Sequence, residues 1–397
     1  MFSKRTEWRL TPNRFTEAHR ELLTGGREVL DLTVSNPTRA GLEYDAKLIL
    51  SSLNRTEALD YDPQSKGLLN ARQAVAAYYK DQHGLVGLDP ESIVLTTSTS
   101  EGYSFVFRLL CDFEDEILVP KPSYPLFDFL ADLQDVKLVP YPLLYDHGWQ
   151  IDFPSLAKAV TSRTRAIVLV HPNNPTGSFV SDAECRELNE FCREHKLALI
   201  VDEVFLDYVH GLQRTTFAAN QKTLTFTLSG LSKVSGLPQM KVAWVVTSGP
   251  AEEVKNALGR MEVIADTYLS MSAPIQLATP VLLHQRQNIQ SQLLERVQRN
   301  LTELDRQLSG QKTCQRLEVE GGWYAVLRVP AVQSDEDLAI DILRKTSVLV
   351  HPGHFYDFPS DGYLVLSLIT PEEEFREGME RVLQLFETME TEQNVVQ

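Results

Sequence analysis

The central part of the chain, from about residue 70 to residue 250, alternates short apolar runs with stretches of helical periodicity. A run that is apolar on both faces and is followed by a helix is typical of a parallel sheet covered by helices on each side. Seven runs have this character: residues 93–95, 117–119, 137–139, 166–170, 197–201, 224–227 and 243–246. We therefore predict an α/β fold with a seven-stranded, mostly parallel sheet.

The pattern changes after about residue 250, and a chain of 397 residues exceeds what one hydrophobic core usually serves. We predict a large domain over residues 46–278 and a smaller α+β domain built from residues 1–45 and 279–397. The runs expected in the smaller domain are a strand at 29–34, a long helix at 285–308, strands at 323–327, 348–350 and 363–368, and a terminal helix from Glu372.

Charge and cysteine spacing restrict the partners and the compartment. The formal net charge of −16 disfavours nucleic acid and anionic membranes, which need a basic surface. No apolar run approaches the roughly 18 residues of a membrane span, and the first residues lack the apolar core of a signal peptide. The four cysteines are scattered without a CxxC pair, so neither a zinc site nor a disulfide framework is indicated. We expect a cytoplasmic protein.

A lysine and an aspartate follow two of the predicted strands. Lys233 lies within LSGLSKVSGLP (residues 228–238), where small residues favour a tight turn that can face a cavity, although most lysines so placed are surface residues. Asp202 closes the strand at 197–201, where a buried carboxylate needs a partner cation. The protonated ring nitrogen of a pyridine cofactor is such a cation. The alternative is that Asp202 only caps a turn.

Three more strand ends carry groups suited to a ligand. HPNNPTG (171–177) forms a rigid loop or only a turn. TSTSEG (97–102) opens an apolar helix, whose N–H groups and hydroxyls suit an anion but also suit a simple N-cap. KPSYP (121–125) presents an aromatic ring for stacking or for packing. The chain lacks the GxGxxG and GxxxxGK[ST] motifs of nucleotide-binding proteins.

Together these motifs resemble the class I/II aminotransferases of the fold-type-I pyridoxal-phosphate (PLP) family, from about residue 36 to the C-terminus. The resemblance implies pyridoxal 5'-phosphate bound as a Schiff base to Lys233, with Asp202 on the ring nitrogen. It implies further cofactor-binding roles for eight residues: Asn174 on the ring oxygen, Tyr124 stacked on the ring, and Thr99, Ser100, Ser229, Ser232, Lys241 and Tyr61 around the phosphate. Tyr61 would reach the phosphate of the neighbouring subunit.

The chain departs from the family pattern at four positions. Lys241 replaces an arginine on the phosphate, and Phe205 replaces a tyrosine that donates to the ring oxygen. Gly230 replaces a phosphate-binding serine, which leaves Ser229 or Ser232 for that role. Val365 replaces the arginine that binds the substrate carboxylate. The candidates for a substitute cation are Arg39, His351 and His354.

The resemblance implies a ping-pong transfer of an amino group from an amino acid or amine to a 2-oxo acid, with Lys233 as the base. The same cofactor residues would also serve a PLP-dependent lyase or decarboxylase acting on an atypical amino substrate. A non-catalytic PLP-binding protein is a further alternative. The resemblance also implies a homodimer whose active sites are completed across the interface by Tyr61 and by residues 268–272.

Overall fold

The computed structural model describes residues 1–8, 10–125, 127–211 and 214–396. These residues form thirteen α-helices and fourteen strands. The helices are α1 Arg14–Thr24, α2 Ala46–Ser52, α3 Leu69–His83, α4 Thr99–Leu110, α5 Phe127–Gln134, α6 Phe153–Ala159, α7 Asp182–His195, α8 Leu231–Val234, α9 Ala251–Tyr268, α10 Ala273–His284, α11 Arg286–Leu308, α12 Asp335–Thr346 and α13 Glu372–Val396.

The strands vary from two to nine residues in length. They are β1 Leu30–Asp31, β2 Ile93–Thr96, β3 Glu116–Lys121, β4 Lys137–Tyr145, β5 Trp149–Ile151, β6 Thr164–Val170, β7 Ala198–Asp202, β8 Thr225–Gly230, β9 Ala243–Ser248, β10 Gln315–Arg316, β11 Tyr324–Arg328, β12 Val348–Leu349, β13 His351–Pro352 and β14 Tyr363–Ser367.

The large sheet has the order β2-β9-β8-β7-β6-β3-β4-β5. All seven predicted strands are present, and the sheet is mostly parallel, with β9 antiparallel to both of its neighbours. The predicted count was wrong by one, because β5 pairs antiparallel with β4 at the edge. This strand has three residues and a buried-exposed-buried pattern, so it offers no apolar run to detect.

Helices cover both faces of this sheet, as the two-sided apolar runs require. In β7, Ile200 packs with α4, α5 and α9 on one face, while Leu199 and Val201 pack with α6 and α7 on the other. Gly102 lets α4 approach closely, because a Cβ atom there would lie 2.9 Å from Leu228 Cδ2. The carboxyl ends of the central strands are thereby fixed at one edge of the sheet.

The C-terminal part contains an antiparallel sheet of order β10-β11-β14-β13, packed in one core with α11, α12 and α13. Strand β1 pairs parallel with β12, so this N-terminal strand packs with the C-terminal part. The predicted domain boundary at residue 278 lies within α10 and stays a prediction. Among the helices of the described residues, none has both the length and the apolarity to cross a membrane.

Candidate active site

Asp202 and Lys233 lie at the same edge of the large sheet. Asp202 ends β7, and Lys233 lies on α8 directly after the neighbouring parallel strand β8. The Lys233 Nζ atom lies 4.6 Å from the ring centroid of Trp323, 5.2 Å from that of Phe205, and 3.4 Å from the carbonyl oxygen of Ser35. Burial lowers the pKa of Lys233 to about 8, although the Asp202 carboxylate acts in the opposite direction.

The Asp202 carboxylate is oriented by two donors. Its Oδ2 accepts a hydrogen bond from the Tyr103 hydroxyl at 3.2 Å, and its Oδ1 accepts one from the Val204 N–H at 3.1 Å. Burial raises the pKa of Asp202 to about 6, against the opposing effects of both hydrogen bonds and of Lys233. A cation placed against this carboxylate would restore its charged form, which is what a pyridinium nitrogen does.

The loop after β6 contains two asparagines with different surroundings. The Asn173 Nδ2 atom donates to the Pro122 carbonyl at 3.0 Å and to Thr176 Oγ1 at 2.9 Å, so this side chain holds the loop together. Asn174 is also buried, but its Oδ1 has no partner among the described residues. Rotation of the amide can present either a donor or an acceptor. A ligand hydrogen bond here would satisfy a group that is otherwise costly to bury.

Helix α4 begins with the hydroxyl-rich segment. Ser98 is its N-cap and accepts from the Glu101 N–H at 3.1 Å, while the Glu101 carboxylate accepts from the Thr97 N–H at 2.7 Å. Capping therefore accounts for Ser98. The half-buried hydroxyls of Thr99 and Ser100 make no hydrogen bond within the described part of the chain. They lie at the positive end of the helix dipole, where a phosphate is stabilised.

The residues around Gly230 explain one departure from the family pattern. A Cβ atom at residue 230 would lie 2.9 Å from both Ala243 Cβ and the Val242 carbonyl oxygen, so a serine does not fit there. Ser229 is buried, with its hydroxyl 3.5 Å from the Glu203 carbonyl oxygen. Ser232 is half-buried beside Lys233, and Lys241 is exposed.

The two predicted tyrosines differ in their relation to this site. Tyr124 is 44% exposed overall. Burial of its hydroxyl and, to a smaller degree, the Asp202 charge raise the pKa of that hydroxyl. Tyr61 is 81% exposed. It lines a cavity with residues of the 265–276 segment, and neither Lys233 nor Asp202 is among the residues that line that cavity.

Val365 lies in the small sheet between Val326 and His351 and is buried. Burial lowers the pKa of His351 to about 4, so its imidazole is neutral at pH 7 and is a poor substitute for the missing guanidinium. His354 is exposed. Arg39 is exposed on a short turn four residues after Ser35, whose carbonyl lies near Lys233.

Several residues of the site were not predicted. Trp323 and Ser35 reach Lys233 from distant parts of the sequence, so no local signal identifies them. Tyr103 could have been found, because it is one helical turn after Thr99 on α4. Asp202 lies on the same face of β7 as Ile200, because residues two apart in a strand share a face. Helix α4 covers that face, so a side chain of α4 such as Tyr103 is expected near Asp202.

Comparison with known proteins agrees with this geometry. The family model for aminotransferases of class I and II matches residues 27–382. The glutamate-pyruvate aminotransferase AlaA of Haemophilus influenzae is 29% identical over 357 residues, covering 86% of this chain and 87% of that protein. An alanine aminotransferase of Mycobacterium bovis is 27% identical over 371 residues, covering 90% and 85%.

Solved structures support the same fold. The alanine aminotransferase of Pyrococcus furiosus superposes with a TM-score of 0.89 at 22% identity, over 98% of this chain and 100% of that chain. An aminotransferase of Escherichia coli gives a TM-score of 0.85 at 24% identity, over 98% of both chains. The chain therefore belongs to the class I and II aminotransferase family and is a PLP-dependent transaminase.

Proposed function

We propose that PLP binds at the carboxyl edge of the large sheet, with Lys233 as the residue of covalent attachment. The observation that carries this proposal is that Lys233, Asp202 and Asn174 lie at the carboxyl ends of the neighbouring parallel strands β8, β7 and β6. Asn174 Oδ1, which has no partner in the part of the chain that the structure describes, and the unfavourably buried Asp202 carboxylate are both groups that the cofactor ring would satisfy. Thr99 and Ser100, at the start of α4, suit its phosphate.

Each residue then has a role that its surroundings support. Bound PLP supplies an electron sink for the carbon next to the substrate nitrogen. Asp202 holds the ring nitrogen in its protonated form, and Tyr103 keeps the carboxylate oriented. With a pKa lowered to about 8, the Lys233 Nζ atom is neutral in an appreciable fraction near neutral pH, so it can accept the substrate proton and return it.

The substrates we propose to test first are alanine and glutamate as amino donors, with pyruvate and 2-oxoglutarate as acceptors. The support is the activity named for the relatives in Haemophilus influenzae and Mycobacterium bovis. Val365 and neutral His351 cannot bind a carboxylate as a cation does. Arg39, close in sequence to Ser35, is the cation we propose for that role, and Arg39→Gln should then raise KM for amino-acid donors.

We also propose a homodimer whose active site includes Tyr61 of the partner subunit. Four large apolar side chains are strongly exposed in two segments: Leu59, Tyr61, Val263 and Leu269. Both segments border one cavity of about 80 Å³, which is lined by residues of 60–67 and 265–276 and by Leu95. Clustered exposed apolar residues favour an interface, whereas isolated ones are ordinary. As partners we expect small molecules, not nucleic acid or membranes, and as compartment the cytoplasm.

The experiment compares wild-type protein with Lys233→Met and a matched control, Lys222→Met, in the presence of PLP. Lys222 is exposed and precedes β8, whereas Lys233 follows its other end. We expect wild type and control to convert a donor and a 2-oxo acid to the exchanged pair, and Lys233→Met to lose this activity. Release of carbon dioxide or of an eliminated group without amino transfer would instead favour a lyase or decarboxylase function.

A further inference from the structure

Lys233 lies on a helix, α8, that is too short to be stable without contacts from the rest of the protein. Helix α8 spans four residues, Leu231–Val234, and a helix leaves its last four carbonyl groups without intrahelical partners. A single turn is also too short to be stable alone. The Leu231 carbonyl is satisfied by the Leu237 N–H at 2.9 Å, and the Lys233 carbonyl accepts from the Gly236 N–H at 3.2 Å. The Leu231 carbonyl also accepts from the Ser235 N–H at 3.2 Å, and the Leu231 N–H donates to the Val242 carbonyl at 2.9 Å. Further support for this turn comes from side chains.

Two buried side chains supply it. The Tyr208 hydroxyl donates to the Lys233 carbonyl oxygen at 2.7 Å, and Tyr208 has no exposed surface. The Gln290 Nε2 atom, on α11, donates to the Val234 carbonyl oxygen at 2.8 Å. Water cannot easily replace either donor, because both side chains are buried. The carbonyl groups of the last two residues of α8 are therefore held by side chains buried in the protein interior.

Gln290 is itself held in place by a buried carboxylate. Its Nε2 atom also donates to Asp207 Oδ2 at 2.5 Å. The other oxygen, Asp207 Oδ1, lies 3.0 Å from His83 Nε2 and accepts from the Tyr78 hydroxyl at 3.0 Å. The side chains of Asp207 and His83 are 1% and 2% exposed. A buried polar network whose carboxylate has several donors is rigid, and Gln290 inherits that rigidity.

Asp207 and Tyr208 lie five and six residues after Asp202, in the segment that leaves the edge of the sheet. We propose that this segment, residues 202–208, fixes the distance between Asp202 and Lys233, with Tyr208 acting directly and Asp207 acting through Gln290 as positioning residues. The proposal deepens the function proposed above and rests on the role of Lys233 given there. Misplacement of a reacting group by about 1 Å can cost about a hundredfold in rate.

The test uses Gln290→Met and Tyr208→Phe with one matched control for each. Gln292→Met changes a half-buried glutamine on the same helix, whose Nε2 atom donates to the Glu43 carbonyl oxygen at 3.0 Å. Tyr141→Phe changes a buried tyrosine whose hydroxyl donates to the Val168 carbonyl at 2.8 Å, in the large sheet. Two quantities are measured without cofactor: hydrogen exchange of residues 231–237, and the pH dependence of Lys233 labelling by an amine-reactive reagent. Turnover is measured with PLP.

We expect both test variants to exchange residues 231–237 about tenfold faster than their controls and to shift the labelling midpoint of Lys233. We expect kcat to fall about tenfold or more with KM changed by about twofold at most. Tyr208→Phe removes one oxygen atom and decides the matter alone if Gln290→Met does not fold. Exchange and labelling equal to the controls would overturn the positioning role. If PLP attaches to a lysine other than Lys233 in wild type, the proposed function fails instead, whatever the exchange shows.

Discussion

At the scale of single residues, Lys233 and Asp202 share an environment that disfavours both charges. Burial lowers the pKa of Lys233 to about 8 and raises that of Asp202 to about 6. Their mutual attraction opposes both shifts without cancelling either. A site built this way favours the neutral amine of Lys233, and it favours a cation against Asp202 because the carboxylate is then compensated.

Replacing Asp202 by Asn tests this electrostatic account. Asp202 is ionised above about pH 6, so near pH 8 its charge raises the pKa of Lys233, and removing that charge should lower the pKa below about 8. The measurement is the pH dependence of Lys233 labelling in protein without cofactor. With PLP, turnover should fall by about a hundredfold or more, as expected for loss of a preorganised charge. Asp305→Asn, an exposed partner of Arg316, is the control and should change neither quantity. An unchanged or raised midpoint in Asp202→Asn would contradict the account.

Replacing Phe205 by Tyr tests the missing hydrogen bond to the ring oxygen. Phe205 is buried, and its ring centroid is 5.2 Å from Lys233 Nζ and 5.1 Å from that of Trp323. A tyrosine hydroxyl that donates to the ionised ring oxygen stabilises the deprotonated chromophore. We therefore expect a spectral pH titration of the PLP-loaded protein to give a lower pKa for the Schiff base of PLP with Lys233 in Phe205→Tyr than in wild type. An equal or higher value would show that residue 205 does not face the ring oxygen.

At the scale of elements, the close approach of β8 and β9 leaves no space for a side chain at residue 230. A Cβ atom at Gly230 would lie 2.9 Å from Ala243 Cβ, so Gly230→Ala should destabilise the protein by about 1–3 kcal/mol through overpacking. Gly259→Ala on α9 is the matched control, because a Cβ atom at residue 259 would meet no atom within 4 Å. Gly259→Ala should stabilise the protein by about 0.5–1 kcal/mol, because alanine has a higher helix propensity than glycine. Denaturant unfolding of both variants measures the difference, and equal effects would contradict the packing argument.

The elements that sequence reasoning found are those with a local signature. Two-sided apolar runs identified the seven strands, and Asp202, Asn174 and Lys233 come one, four and six residues after such runs. The hairpin strand β5 has no such run and was missed. Trp323, Tyr208 and Gln290 were missed for a different reason: their contacts with α8 join segments far apart in sequence. Only the packed fold reveals side chains that act through long-range contacts.

At the scale of the whole molecule, the exposed apolar side chains predict a second copy of the chain. Leu269 is 58% exposed beside the segment that contains Tyr61, so Leu269→Asp should place a charge in the interface and produce monomers. Val332 is 51% exposed in the C-terminal part, and Val332→Asp is the control. Sedimentation should give twice the chain mass for wild type and control, and the chain mass for Leu269→Asp. Transaminase activity should fall with the dimer. A fully active wild-type monomer would contradict the shared site.

The central claim is that Lys233 is the residue that holds the cofactor. The most direct measurement is to incubate the protein with PLP, reduce it with borohydride, digest it, and locate the phosphopyridoxyl group by mass spectrometry. The account predicts one labelled lysine, Lys233, and loss of the label when Lys233→Met is treated in the same way. Labelling of another lysine, such as Lys241, or a protein that takes up no label, would contradict it.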